Sequence, residues 1–122
     1  MLLNKSRNLM VTGRVRLADS FLKRFMGLMF SRKKDFNYAL VFPLGKESRE
    51  RAAIHMLFVF FAIDVAFLDS GKKVVDVVKG LKPFTFIYVP KKAASYVVEL
   101  PPGKANGISE GDVLTWDLQP VG

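Results

Sequence analysis

Apolar positions along the chain follow two different periods. Residues 20–29 carry Phe21, Leu22, Phe25, Met26, Leu28 and Met29 at three-and-four spacing, leaving Lys23 and Arg24 toward solvent. With Asp19 or Ser20 available as a cap, this spacing predicts one amphipathic helix near residues 20–29, packing Phe21, Phe25 and Met29 into the core. Gly27 falls inside that helix at about 1 kcal/mol relative to Ala, which predicts a close backbone contact there. From residue 38 onward the pattern shortens. Apolar runs at 38–44, 52–58, 63–69, 74–78, 84–89, 95–100 and 113–118 are punctuated by Gly, Pro and charged residues, as expected for short strands. Residues 45–51 read as a charged exposed loop or helical turn. Near the N-terminus, Leu9–Thr12 and residues 14–17 predict a hairpin turning at Gly13, one face basic through Arg14 and Arg16 and the other apolar through Val15 and Leu17.

Seven or eight short strands and one helix cannot build an open parallel sheet, because no crossover helices connect them. The expected fold is mainly β (α+β): a small single domain over residues 1–122, a mostly antiparallel barrel or two-layer sandwich with the helix covering one end or edge. The length of 122 residues fits one core. Half the residues are apolar and a quarter charged, which excludes a disordered or low-complexity chain.

Charge changes the picture more than composition does. Lys and Arg total 19 against 11 Asp and Glu, a net charge of +8, and all of that excess lies in residues 1–52, while residues 53–122 balance. Such asymmetry favours polyanionic partners, although solvated surface Lys and Arg also produce it. The N-terminus lacks the continuous apolar stretch of a signal peptide, and the most apolar segment, residues 52–68, is too short to span a bilayer and contains His55 and Asp64. A cytoplasmic location is expected.

The chemistry-bearing residues are few. Without Cys there are no disulfides, thiolate metal sites or Cys nucleophiles, and one His with scattered carboxylates makes no metal set. No phosphate loop occurs, since the glycine-rich residues 101–112 lack a strand–loop–helix context. No cofactor is expected. His55 sits in an apolar run, where a packed core role is the ordinary reading. If residues 63–69 are one strand, Asp64 shares a face with Ala66 and Leu68, and a buried carboxylate there needs a partner such as Arg24, His55 or backbone amides.

Residues 107–116, GISEGDVLTW, are similar to the turn-into-strand of small swapped-hairpin transcription factors of the AbrB type, a pattern that turn geometry also produces. A broader resemblance covers residues 9–117. RFMGLMFSRK from Arg24, ALVFPL from Ala39, IHMLFVFFAIDVAFLD from Ile54, YVVELPPG from Tyr96 and GISEGD from Gly107 together resemble family 192 of the domains of unknown function. The resemblance implies a compact β-rich domain and carries no assigned reaction, substrate or cofactor. Many bacterial members have a Trp-Met-Lys-Asn run where this chain has His55, Met56, Leu57 and Phe58, so a site built on those polar groups is absent here or rebuilt around His55. Carried over by position, the resemblance points to Arg24, Gly27, Leu28 and Met29, to Met56, Asp64 and Asp69, and to Glu99, Gly111 and Asp112. Of these, Arg24, Asp64 and Glu99 have charges that packing does not need. They form the candidate ion-pair or binding cluster, with His55 nearby.

Three functions follow from these features. The first is a non-enzymatic ligand-binding or accessory domain, taking a peptide or small molecule between helix and barrel. The second is a nucleic-acid-binding domain using Arg14, Arg16, Lys23, Arg24, Arg32, Lys33, Lys34, Arg49 and Arg51 on phosphates, with Phe36 or Tyr38 for stacking. A hydrolase-like enzyme built on His55 and Asp64 is the third.

Overall fold

The computed structural model describes residues 1–20, 23 and 26–117. Strands β1 (Leu2–Asn4), β2 (Leu9–Thr12) and β8 (Leu114–Trp116) make a small sheet in the order β2-β1-β8. Strands β3 (Val15–Leu17), β4 (Ala39–Ser48), β5 (Ile63–Leu68), β6 (Val74–Leu81) and β7 (Ala94–Leu100) make a larger one in the order β3-β4-β7-β5-β6. All pairings are antiparallel except β3 with β4. The fold is thus mostly β with two sheets, and the sheets do not close into a barrel.

The five-stranded sheet is buried on both faces, and β5 shows why. Its sequence, IDVAFL, is buried at every position, the signature of a strand covered on both sides. One face carries Ala39, Val41, Ala66, Leu68, Val98 and Leu100 against Leu2, Val11 and Leu114 of the small sheet and the 3₁₀ turn Lys104–Gly107. The other face carries Leu40, Phe42, Ile63, Val65, Phe67 and Val97, and irregular segments roof it with Leu28, Phe36, Ala52, Met56, Val59 and Phe61.

Several expectations require correction. The hairpin does not form: β2 pairs with β1, β3 pairs with β4, and Gly13 is not among the residues of positive φ. The missing piece was β1, three residues too short to announce themselves. Residues 52–58 and 84–89 are not strands; they join through one bridge, Ile54 with Tyr88, and cross-segment bonds such as Met56 N–H to the Thr85 carbonyl (2.8 Å). Phe58 and Phe84 hold φ of 57° and 62°, which interrupts extended backbone. An apolar run buries equally well as a coil laid over a sheet, so periodicity could not separate the two. Conversely, β4 continues to Ser48 through the segment expected as a loop, with Gly45 at φ 81° where the register with β7 shifts.

Part of the expected helix, Phe21, Leu22, Arg24 and Phe25, lies outside the described residues. Lys23 and Met26 are helical, and Ser20 Oγ accepts the Lys23 N–H as a cap (3.1 Å). Gly27 does not sit inside a helix. Its N–H reaches the Lys23 carbonyl (2.9 Å) and its φ is 45°, so it ends the turn in the left-handed conformation that a glycine adopts without strain. No helix among the described residues is long and apolar enough to cross a membrane.

Candidate functional site

Antiparallel register aims alternate residues of β4 and β7 at the roofed face: Leu40 pairs with Glu99, and Phe42 with Val97. Phe42, Leu44, Val97 and Glu99 form the floor of a cavity of about 350 Å³. Its walls are Met26, Gly27 and Leu28 on one side and Arg51, Ala53, Ile54, His55 and Val59 on the other. The second wall is held by the Ile54–Tyr88 bridge, and Tyr88 stacks on Phe67 while its hydroxyl donates to buried Asp76 (2.6 Å). Next to the wall segments, Phe30 stacks on Phe58 and both are exposed, with Phe30 also at positive φ (62°). Phe60, Phe84 and Phe86 are exposed as well, with Phe60 edge-on to Phe84 at 5.3 Å.

Glu99 is the chemically distinctive group of the cavity. It is 5 % exposed, sits between apolar neighbours, and its carboxyl makes no hydrogen bond among the described residues. Burial pushes it up to about 8. At neutral pH it is a protonated acid in an apolar chamber, able to donate and to accept. At the other end, Arg51 donates to the Leu44 carbonyl (3.3 Å) and has no carboxylate within ion-pair distance among the described residues. His55 Nδ1 accepts the Leu57 N–H (3.2 Å), an arrangement that shapes the wall.

The expected cluster is divided by the sheet. Asp64 pairs with Leu100 whereas Val65 pairs with Glu99, so the two acids point from opposite faces. Asp64 is 1 % exposed and is held by backbone amides, not by a cation: Oδ1 accepts from Gly80, and Oδ2 from Gly103 and Ala105, each at 2.9 Å. His55 and Glu99 share the cavity; Asp64 shares it with neither, so no His55–Asp64 catalytic pair is assembled. Arg24 lies outside the described residues. Asp69 caps its own turn through Gly71 and Lys73 N–H, and Asp112, held low first by the hydrogen bond from Asn4, locks the last turn together with Ser109 and Arg7.

The basic residues gather only in part. Arg14, Arg16, Arg32 and Lys34 line an open cleft of about 510 Å³ with Phe30, Asn37 and Tyr38, and the Arg16 guanidinium lies 4.2 Å over the Tyr38 ring. Lys33 belongs to the adjoining 3₁₀ turn Lys33–Asp35. Arg32 pairs with Asp35 (2.8 Å), Lys23 pairs with Asp19 (3.4 Å), Arg49 donates to the Pro90 carbonyl (3.0 Å), and Arg51 faces the first cavity. Sequence reasoning placed Arg51 with the polyanion set. Nothing local in the sequence signals its position in the cavity.

The DUF192 profile, described as an uncharacterized ACR, matches residues 2–116. The chain belongs to the DUF192 family. A UPF0127 protein of Pyrococcus horikoshii is 48 % identical over 118 residues, covering 95 % of this chain and 98 % of that protein. Among solved structures, a Sinorhizobium meliloti chain described as a candidate transcription regulator is similar at TM-score 0.75 and 25 % identity, over 83 % of this DUF192 chain and 79 % of its own. A Novosphingobium aromaticivorans protein of unknown function is similar at TM-score 0.73 and 20 % identity, over 84 % and 74 %. These relatives give the DUF192 chain an uncharacterised conserved family and a fold, and no specific function.

Proposed function

We propose that this DUF192 domain is a non-enzymatic binding module that takes a small, largely apolar ligand in the cavity over β4 and β7, with one polar end of the ligand meeting Glu99. The observation that carries this reading is the Glu99 carboxyl itself, buried, without a hydrogen bond among the described residues and lining a chamber. A buried polar group without a partner is costly to stability, and a ligand group that completes it restores the lost bond. The catalytic pair expected from His55 and Asp64 is not assembled, which favours binding over turnover.

The test uses 1-hexanol as a neutral probe. Saturating shifts of the Leu44, Val59 and Val97 methyl signals are expected, together with a rise in melting temperature, since a ligand at a hundred times its Kd stabilises the folded state by about 2.7 kcal/mol. Ala53→Trp, which fills the chamber, should abolish both effects. Non-saturating shifts spread over the surface would count against the cavity.

A second reading rests on the cleft of Arg14, Arg16, Arg32 and Lys34, in which four cations converge beside aromatic rings, and on the regulator description of the Sinorhizobium relative. In this reading the cleft holds nucleic-acid phosphates. Titration of labelled RNA and duplex DNA should then show affinity falling with salt at a log–log slope of about −0.9 per duplex phosphate contact, near −3 to −4 for four contacts. Arg16→Ala with Arg32→Ala should flatten that slope. Absence of binding at low salt removes this reading.

A further inference from the structure

The cavity has a titratable acid at one end and a cation at the other, and the two do not meet. Glu99 stands opposite Leu40, and Arg51 is fastened to the Leu44 carbonyl, so four residues of β4 separate their anchor points, about 13 Å at the rise of a strand. Between them the floor is apolar, formed by Phe42 and Val97. Neither group has an ionic partner among the described residues: Glu99 makes no hydrogen bond, and the exposed Arg51 pairs with no carboxylate. Such an arrangement is complementary to a molecule with the reverse order of groups. Once Glu99 is ionised, a carboxylate at that end would meet a like charge, and an ammonium group at the other end would be repelled by Arg51.

We infer that the cavity takes a small zwitterion, an ammonium group and a carboxylate joined by an apolar spacer, with the ammonium on Glu99 and the carboxylate on Arg51. This rests on the cavity-binding reading above and specifies its ligand class. Binding exchanges a proton: the acid held neutral by burial ionises as the ammonium arrives, so one N–H···O bond forms, one O–H bond breaks, and the proton leaves to solvent. Among the described residues, Arg51 and His55 on the wall segment are the charged or titratable groups facing Glu99 across the chamber; β4, the rest of β7 and residues 26–28 present apolar side chains or backbone. With Glu99 at about 8, affinity for the ammonium end rises close to tenfold per pH unit from 6 to 8 and levels above.

Calorimetric titration with 1-hexanol, hexylamine, hexanoate and 6-aminohexanoate, extended to the four- and eight-carbon amino acids, tests this. One amino acid of the series should bind about tenfold tighter than the amine or the acid of its own length, the increment of one charge-assisted hydrogen bond. Glu99→Gln should erase the advantage of hexylamine over hexanol and its pH dependence, while Arg51→Met should erase the contribution of the carboxylate and leave that of the amine. If hexanol binds and neither charged end adds affinity, or if hexanoate outbinds hexylamine, the zwitterion inference falls and the cavity reading stands. If not even hexanol binds, both fall.

Discussion

Replacing Asp64 by alanine is expected to remove about 5 kcal/mol of stability, a large part of the 5–15 kcal/mol that holds a domain of this size together. The carboxylate collects three backbone N–H groups, from Gly80 at the end of β6 and from Gly103 and Ala105 around the 3₁₀ turn. Truncation leaves all three donors facing the space it vacates, the Ala105 N–H fully buried and the Gly80 and Gly103 N–H part-buried, and an unsatisfied buried donor costs about 1–3 kcal/mol. Asn retains one acceptor oxygen but turns an amide NH₂ toward one of the donor sets, so Asp64→Asn should cost less than Ala and still exceed about 1 kcal/mol. Urea unfolding at neutral pH measures both. A cost below about 1 kcal/mol for the alanine variant would falsify the view that this carboxylate ties the turn at 103–105 to the sheet.

How much of this was legible in the sequence depended on whether the information was local. The run of residues 63–68 read as a strand because its composition alone demands burial, and the alternation that put Asp64 with Ala66 and Leu68 and apart from Val65 and Phe67 holds in the structure. The need of Asp64 for a partner was equally legible from the cost of a buried charge. What alternation cannot give is phase between strands. Glu99 and Asp64 each sit on a buried strand, and only the register of β5 against β7 decides whether they share a face. A shift of one residue would have joined them.

A pocket between helix and barrel was expected, but its lining was not legible, for the same reason. Its floor comes from β4 and β7 and its walls from residues 26–28 and 51–59, segments joined only by tertiary structure. The roofing segments also illustrate the limit of apolar patterning. Residues 52–58 and 84–89 have strand-like composition, yet they lie over the sheet as coil, stabilised by Ile54–Tyr88 pairing and by the Tyr88–Asp76 hydrogen bond. Asp76 therefore anchors the roof, a role that its isolated position in the sequence did not announce.

Stability of the protein should fall by on the order of 4 kcal/mol between pH 4.5 and pH 8, and the fall should vanish in Glu99→Gln. The folded state holds Glu99 at about 8 through burial, against 4.5 for the unconstrained side chain. Below 4.5 the acid is neutral in both states and contributes no penalty. Between the two values the unfolded chain releases the proton and the folded one retains it, so unfolding gains about 1.4 kcal/mol per pH unit. Above 8 both states are ionised and the loss stops growing. Carboxylates that folding holds low, such as Asp112, act in the opposite sense, with stability lost as pH falls, and their contribution is confined to the acid side. The difference between wild type and Glu99→Gln in urea midpoints from pH 4.5 to 9 therefore isolates Glu99. Parallel curves would show that its carboxyl ionises freely in the fold, and a freely ionised Glu99 would have no vacant hydrogen bond for a ligand to complete.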